Sequence, residues 1–481
     1  MGFALADYVI VVLYLVGIAV LGYVQRGKPQ SATEYFLGRE HIPWWVVCFS
    51  IVAVETSSLT FISIPGLAYI SNLGFLQLTL GYLLGRILIS VFLLPAYYRG
   101  ELSTAYAFLE RRFGLTTRRF ASVVFLLTRT AADGVRLFAT AIPLKLIMNI
   151  EYPLAILIIA VVALTYTTMG GVRGVVCVDA LQMLMYLGGA VLTAIILVNG
   201  TEGGLSRLMQ PALEAGKLQV FDWGFGADFF KRPYTLIGGI LGGAFLSMAS
   251  HGTDQLIVQR VLTTKSLAAS RKALIGSGVV VIFQFALFLL IGLMLYGYHN
   301  AASLSDLGLR RSDEIFPNFI IHGLPVGVSG IIIAGLFAAA LSSLAGSMSS
   351  MASSTLLDLY KPLAKSPMSP EKELRLARLV TIGWASLLTL SALFFMTSGQ
   401  AVVELALSIA SFTYGGLLGT FLLGVLVKKA KQTTALISFA TGIIVMVAVI
   451  TSGLVAWTWF TVIGTVVTVG VGTLLARVRD V

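Results

Sequence analysis

The chain has 481 residues, of which 57% are hydrophobic and only 11% charged, and its formal net charge is +11. A soluble domain carries about 25% charged residues, so this composition excludes a water-soluble globular protein; together with many apolar runs near the ~20 residues that cross a bilayer, it specifies a polytopic membrane protein. The basic surplus lies in short connectors rather than in a patch, which is the footprint of membrane topology and not of nucleic-acid binding.

In chain order, the first 24 residues are apolar, but Asp7 stands where a signal peptide would carry basic residues, and Arg26 and Lys28 follow the run instead of preceding it. A retained transmembrane helix is expected. Hydropathy places thirteen spans, near 4–24, 44–70, 75–98, 120–148, 152–169, 175–199, 234–259, 273–297, 326–358, 376–396, 402–427, 433–452 and 456–476. With the N-terminus outside and the C-terminus in the cytoplasm, the outer connectors hold only Arg207, Lys217, Lys231, Arg232, Arg310 and Arg311. Most other connector lysines and arginines, from Arg26 to Arg479, then fall inside, as the charge asymmetry of membrane proteins requires. Of two longer outer loops, 200–233 and 298–325, the second carries a stretch fit for a short interfacial helix. Cys48 and Cys177, both in apolar segments, make neither a disulfide framework nor a metal-ligand spacing.

One span carries an unusual load. Residues 50–66, SIVAVETSSLTFISIPG, cluster Glu55, Thr56, Ser57, Ser58 and Thr60 between apolar flanks, with Pro65-Gly66 further on. Two readings stand: a tightly packed helix with buried hydroxyls, or a broken membrane helix whose freed backbone groups face a ligand. A second interrupted segment, IGGILGGAFLSMASHGTDQ at 237–255, sits five spans later, the spacing of an inverted repeat of two five-helix halves. Close packing through Gly238, Gly239, Gly242 and Gly243 accounts for its first half but not for the polar run Ser247, Ser250, Thr253, Asp254 and Gln255.

Ionisable residues at membrane depth are costly and point to function; here they are Glu55, Arg86, Arg129, Asp133, Arg136, Lys145, Asp179 and Glu404. Arg129, Asp133 and Arg136 share one helix face, as a structural ion pair or with one arginine left for a charged substrate. Asp254 and Asp358 fall near span ends, within reach of the interface. The ninth span is rich in small residues and carries Ser342 and Ser343 side by side after Ala338-Ala339-Ala340. Backbone carbonyls of a broken helix with two serine hydroxyls suit a hard monovalent cation such as Na⁺, whereas a transition metal favours His or Cys. His41, His251, His299 and His322 share no ligand spacing, and neither a nucleophile–base pair nor a phosphate-binding loop is present, so an enzyme is not expected.

On four stretches in order, FSIVAVETSSLTFISIPG at 49–66, LTYTTMGGVRGVVCVDALQM at 164–183, GTDQLIVQRVLTTKSLAASRKA at 252–273 and AAALSSLAGSMSSMASSTLLDLYKP at 338–362, the chain resembles the sodium:solute symporter family. That group contains bacterial galactose, proline and sialic acid transporters. The resemblance implies an all-α, LeuT-like fold: an extra helix at 4–24, inverted repeats at 44–199 and 234–427, and two further helices at 433–476. It implies Na⁺-coupled import of a small polar solute (a sugar, an amino acid or an organic anion) across a bacterial inner membrane. Carried over by position, it implies a sodium site at Ala53, Thr56, Ala339, Ser342 and Ser343. Glu55 is a possible accessory, standing where proline-type members carry an aspartate important for sodium. Two-sodium members add hydroxyls after the serine pair and an aspartate; Asp179 matches the aspartate, as a structural or proton-linked group, but Ala345 and Gly346 replace the hydroxyls, which favours one Na⁺. Sialic acid members hold the substrate carboxylate with an arginine at a position that is Ala132 here, with Arg129 and Arg136 about one turn to either side. The substrate candidates are Glu55, Ser57, Thr60, Arg129 and Asp133. A proton-coupled carrier or a transporter-like sensor on the same fold are the alternatives.

Overall fold

A chain in hydrocarbon must close its backbone hydrogen bonds within each segment, and helices do so. The computed structural model describes residues 3–24, 42–98, 104–169, 172–364, 368–397 and 400–478. Every regular element among them is helical. The principal helices are α1 (Leu5–Val24), α2 (Trp44–Glu55), α3 (Ser58–Ile70), α4 (Phe75–Phe92), α5 (Leu115–Met148), α6 (Tyr152–Met169), α7 (Val172–Gly200) and α8 (Gly204–Glu214). They continue with α9 (Leu236–Gly252), α10 (Gln255–Val261), α11 (Leu267–Tyr298), α12 (Ile315–His322), α13 (Val328–Ser354), α14 (Pro370–Phe395), α15 (Val402–Leu426), α16 (Gln432–Ser452) and α17 (Phe460–Val478).

Eight helices among the described residues are long and apolar enough to cross a bilayer unaided. The remaining apolar segments are bent or shorter. α2 and α3 meet at an angle of 59°, α5 and α6 at 114°, and Leu5–Gly17 and Leu236–Gly252 are short apolar stretches. One of the thirteen expected spans, 44–70, thus contains a sharp bend, and two, 120–148 and 152–169, meet at one. Large apolar side chains face outward around the bundle: Leu127 is 67% exposed, Phe283 72% and Phe394 78%. Such exposure suits lipid contact, not water.

The glycines of the second interrupted segment are packing devices. α9 lies along α4 so closely that a Cβ on Gly243 would stand 2.2 Å from the Leu78 carbonyl oxygen, and one on Gly81 2.4 Å from that of Ile240. Gly242 meets the backbone of Thr458, and Gly238 the ring of Trp459. α9 ends at Gly252, Thr253 separates it from Asp254, and the Asp254 side chain caps α10 by accepting from Leu256 N–H at 2.9 Å. This segment, like α2/α3, is therefore two helices with a polar break.

Two sequence expectations are corrected. The stretch within 298–325 does form a helix, α12, but Ile315, Phe316, Phe319 and Ile320 are buried, and a Cβ on Gly66 of α3 would strike the Ser312 carbonyl at 2.1 Å. It is a packed element, because its apolar face finds a protein partner. Asp254 and Asp358 do not reach an interface; both are fully buried, and Asp358 is held by Arg118, Thr104 and Ser354.

Gly243→Val places two methyl groups into the α4 backbone. We expect destabilisation of at least about 3 kcal/mol, visible as lost monodisperse protein in detergent, whereas the outward-facing Phe283→Leu behaves as wild type.

Candidate functional site

The break between α2 and α3 is built by backbone bookkeeping. The last backbone bond of α2 runs from Thr56 N–H to the Val52 carbonyl at 2.9 Å, and the first of α3 from Thr60 N–H to Ser57 at 3.2 Å. The carbonyls of Ala53 to Thr56 fall in the gap, where a helix end leaves acceptors without intrahelical donors. Thr56 and Ser57 are 1% and 2% exposed; the Thr56 side chain lies near the Tyr186 hydroxyl, while the Ser57 hydroxyl oxygen has no hydrogen-bond partner. α13 packs against both halves of the break. On it Ala339 is buried, and Ser343 is buried with its hydroxyl oxygen also unpartnered. The Ser342 side chain lies outside the described residues. Buried polar atoms are normally satisfied by protein, water or an ion, and the Ser57 and Ser343 hydroxyls lie on helices that pack together at the break. These donors fit a hard monovalent cation.

Next to the break opens a cavity of about 100 Å³. Glu55 and Thr60 contribute from the broken span, Ser250 and His251 from the end of α9, and Arg129 and Arg136 from α5. Tyr82, Phe285, Leu59, Ala410 and Tyr414 complete a largely apolar wall. A few convergent polar groups in such a wall are the usual make-up of a small-molecule site.

The charges around the cavity neutralise one another. Glu55 pairs with the fully buried Arg86 of α4, which also donates to the Ser277 hydroxyl at 2.7 Å, and His251 Nε2 lies 3.4 Å from the same carboxylate. Arg129 bridges Asp133 at 3.3 Å and Asp254 at 3.0 Å, and Tyr414 donates to Asp254 at 2.5 Å. Arg136 approaches Asp133 at 3.1 Å, but its Nε and Nη1 make no hydrogen bond. Arg129 is thus held by two carboxylates, whereas Arg136 has one, shared with Arg129.

Of the substrate candidates, Glu55, Thr60 and Arg129 reach the wall. Ser57 is not on it, being turned into the protein, and Asp133 is fully buried behind it as the anchor of both arginines. Asp179 stands apart on α7, bound to Ser50 and Arg260. The wall residues His251, Tyr82 and Tyr414 were not legible from spacing, whereas Ser250 belongs to the polar run of the second interrupted segment.

The comparisons with known proteins agree with this geometry. The Sodium:solute symporter family model matches residues 35–442. The chain belongs to that family. It is 30% identical over 480 residues to the sodium/sialic acid symporter SiaT of Proteus mirabilis, covering 98% of this chain and 95% of the relative. A solved substrate-bound outward-open state of a Na⁺-coupled sialic acid symporter matches with a TM-score of 0.88 at 29% identity, covering 99% of this chain and 98% of that one. At 13% identity, MHP1, a nucleobase-cation-symport-1 family transporter, covers 94% of this chain with a TM-score of 0.55 and shares the fold alone. The all-helical class expected from the motifs is therefore present among the described residues, the structural neighbours are LeuT-fold transporters, the relatives are symporters and not enzymes, and Na⁺ is the coupling ion.

Arg86→Met leaves Glu55 beside the cavity without its main counter-charge. We expect a loss of about 3–5 kcal/mol, measured as a fall in the unfolding temperature of purified protein, with most of it regained in Glu55→Gln/Arg86→Met. Equal unfolding temperatures for the single and double variants would show that the pair has no structural role.

Proposed function

We propose that this family member imports a small polar solute with one Na⁺ by alternating access. The observation that carries the proposal is the polar break at Thr56-Ser57, covered by α13 with its buried Ser343, and the mixed-charge cavity beside it. The Na⁺ site consists of the carbonyls of Ala53, Thr56 and Ala339 and the hydroxyls of Ser342 and Ser343, with Glu55 near it. The solute site consists of Glu55, Thr60, Ser250, His251 and Arg136, with Arg129 held in ion pairs and Asp133 as the charge that positions both arginines. Because Arg136 lines the cavity with a single carboxylate partner that it shares with Arg129, the site favours a solute bearing a carboxylate; because Glu55 is already neutralised by Arg86, it accepts hydrogen bonds from hydroxyl or amide groups without requiring a cation. A sialic acid symporter among the relatives is consistent with that chemistry.

The thirteen-span arrangement accommodates the mechanism, with 4–24 before repeats at 44–199 and 234–427 and with 433–476 after them. An outside N-terminus puts most of the basic connectors in the cytoplasm of a bacterial cell. Na⁺ bound between 53–56 and 339–343 ties the broken span to α13 and favours the outward-facing arrangement. Its release to the cytoplasm removes the tie. Only a difference in affinity between the two arrangements drives such a step, and a membrane potential of about 100 mV adds roughly 2.3 kcal/mol per charge moved.

Ser343→Ala, and Ser342→Ala with it, removes an oxygen ligand from a charged guest, worth about 1.5–3 kcal/mol. Half-activation by Na⁺ should rise about tenfold or more in proteoliposome uptake, with unfolding temperature nearly unchanged; unaltered Na⁺ activation in both variants would remove the site from α13. For the solute, Arg136→Gln should abolish Na⁺-dependent thermal stabilisation by carboxylate-bearing solutes while leaving stabilisation by Na⁺ alone. A carboxylate response that survives Arg136→Gln but is lost in Arg129→Gln would move the anion site to Arg129.

A further inference from the structure

The connector between α7 and α9, residues 201–235, lies between spans, yet it turns large apolar side chains outward. Phe225 is 81% exposed and Trp223 61%, and Phe221 and Phe230 are each more than half exposed. α8, in the same connector, has two apolar sides. Leu208 and Ala212 are buried, with α8 pressed on α11 where Gly297 leaves no room for a Cβ beside the Leu208 carbonyl. Leu205 and Leu213 face out. The aromatic loop stands on a fixed base. Asp222 N–H donates to Gln77 Oε1 of α4 at 3.1 Å, and the Asp222 carbonyl accepts from Leu236 N–H, at the start of α9, at 2.6 Å. The Asp222 carboxylate pairs with Arg232. Gly224 turns the chain at φ +69°, where a side chain would be strained and would strike Thr235. Further on, the Phe230 carbonyl accepts from Ala456 N–H at 2.6 Å, and the Phe229 and Phe230 rings lie 5.5 and 5.2 Å from that of Trp459. The loop is thereby tied to α4, α9 and the entry to α17, with Trp223 and Phe225 at its exposed tip.

We propose that this loop is a membrane-interface anchor: Phe221, Trp223, Phe225 and Phe230, with Leu205 and Leu213 of α8, insert at the headgroup–acyl boundary of the phospholipid leaflet at this end of the bundle. A cluster of exposed large apolar side chains outside the spans marks a contact surface. Three observations select lipid as the occupant. The apolar face is continuous with lipid-facing surface, because Leu454, two residues from the Ala456 that binds Phe230, and Ile237 and Leu241 of α9 are exposed as well. The residue types are those of interfacial segments, Trp, Phe and Leu beside a basic group, here the exposed Lys231. Both ends of the connector are span ends, Gly200 of α7 and Leu236 of α9, which keeps its rings within reach of the bilayer surface. Since Asp222 is bonded to both Gln77 and Leu236, lipid contact at the tip holds this end of the α4/α9 pair at a set depth. α9 leads to the second polar break, so the anchor gives that broken span a fixed point in the membrane.

The test is quenching of Trp223 emission in purified full-length protein at one chain per lipid nanodisc. The chain has six tryptophans, so the Trp223 signal is the difference between wild type and Trp223→Phe, a conservative change at an exposed side chain. Phospholipids brominated near the top of the acyl chains should remove most of that difference signal, lipids brominated at the chain ends much less, and aqueous iodide should leave it nearly intact. Phe225→Asp should shift the quenching of Trp223 from lipid to iodide. A Trp223 signal quenched by iodide and untouched by either lipid would overturn the proposal. Stronger quenching from the chain ends than from the chain tops would do the same, by placing the loop inside the hydrocarbon. So would shielding from iodide that appears only in vesicles holding several chains, since a second copy of the chain would then be the occupant.

Discussion

Inside a bilayer an unpaired peptide carbonyl has no water to turn to, and its cost of several kcal/mol must be met by a partner. The break between α2 and α3 leaves the carbonyls of Ala53 to Thr56 in that position at the centre of the bundle. The rest of the architecture manages this one opening. α13 covers it with small residues and Ser343; α7 and α11 close behind α2; and the cavity takes the remaining side, where Glu55 and Thr60 emerge. A helix that ran through would need none of this. The same device recurs between α9 and α10, where the Asp254 side chain supplies part of the missing hydrogen bonding, and residues beside both breaks line the cavity, with His251 3.4 Å from Glu55.

The second constraint is charge. Carboxylates at depth survive only when paired, and Glu55, Asp133, Asp179 and Asp254 each have an arginine within 3.3 Å. These pairs differ in what they leave available. Arg86 is committed on both sides, to Glu55 and Ser277; Arg129 is committed to Asp133 and Asp254; Arg260 is enclosed by Asp179, Ser50 and Leu256. Arg136 has one carboxylate, shared with Arg129, and faces open space. An anion arriving at Arg136 competes with Asp133, and Asp133 released from Arg136 strengthens its hold on Arg129, itself tied to the α9/α10 break. The ion pairs therefore connect the solute cavity to the second broken span through contiguous contacts.

Much of this was readable as chemistry out of place. Glu55, Thr56 and Ser57 in an apolar run announced the first break, because no lipid-facing helix tolerates such a cluster. The glycines at 238–243 announced close packing, and the polar run after them a second break. The family motifs carried the ion. What failed was anything that depended on which way a side chain turns: Ser57 and Thr60 are three residues apart in one motif, yet only Thr60 reaches the cavity, while Ser57 sits at the N-cap of α3 with its side chain buried. His251 looked solitary because its partner Glu55 is nearly two hundred positions away. Asp254 and Asp358 looked interfacial because position along a hydropathy plot says nothing about which neighbours surround a span end.

The sequence by itself determined the class of the molecule: many apolar spans, two interrupted segments five spans apart, and oxygen donors suited to Na⁺ on α2 and α13. These are local properties, set by composition, periodicity and short motifs, and a linear chain displays them directly. Only the tertiary structure decided which buried charges answer each other. That Arg129 is spent on Asp254 while Arg136 is not, and that the missing side chain at Gly346 makes room for Arg260 beside Asp179, are facts about contacts between distant helices. In a medium of low polarity those contacts determine the fate of a charge, because an ion's nearest counter-ion outweighs its sequence neighbourhood.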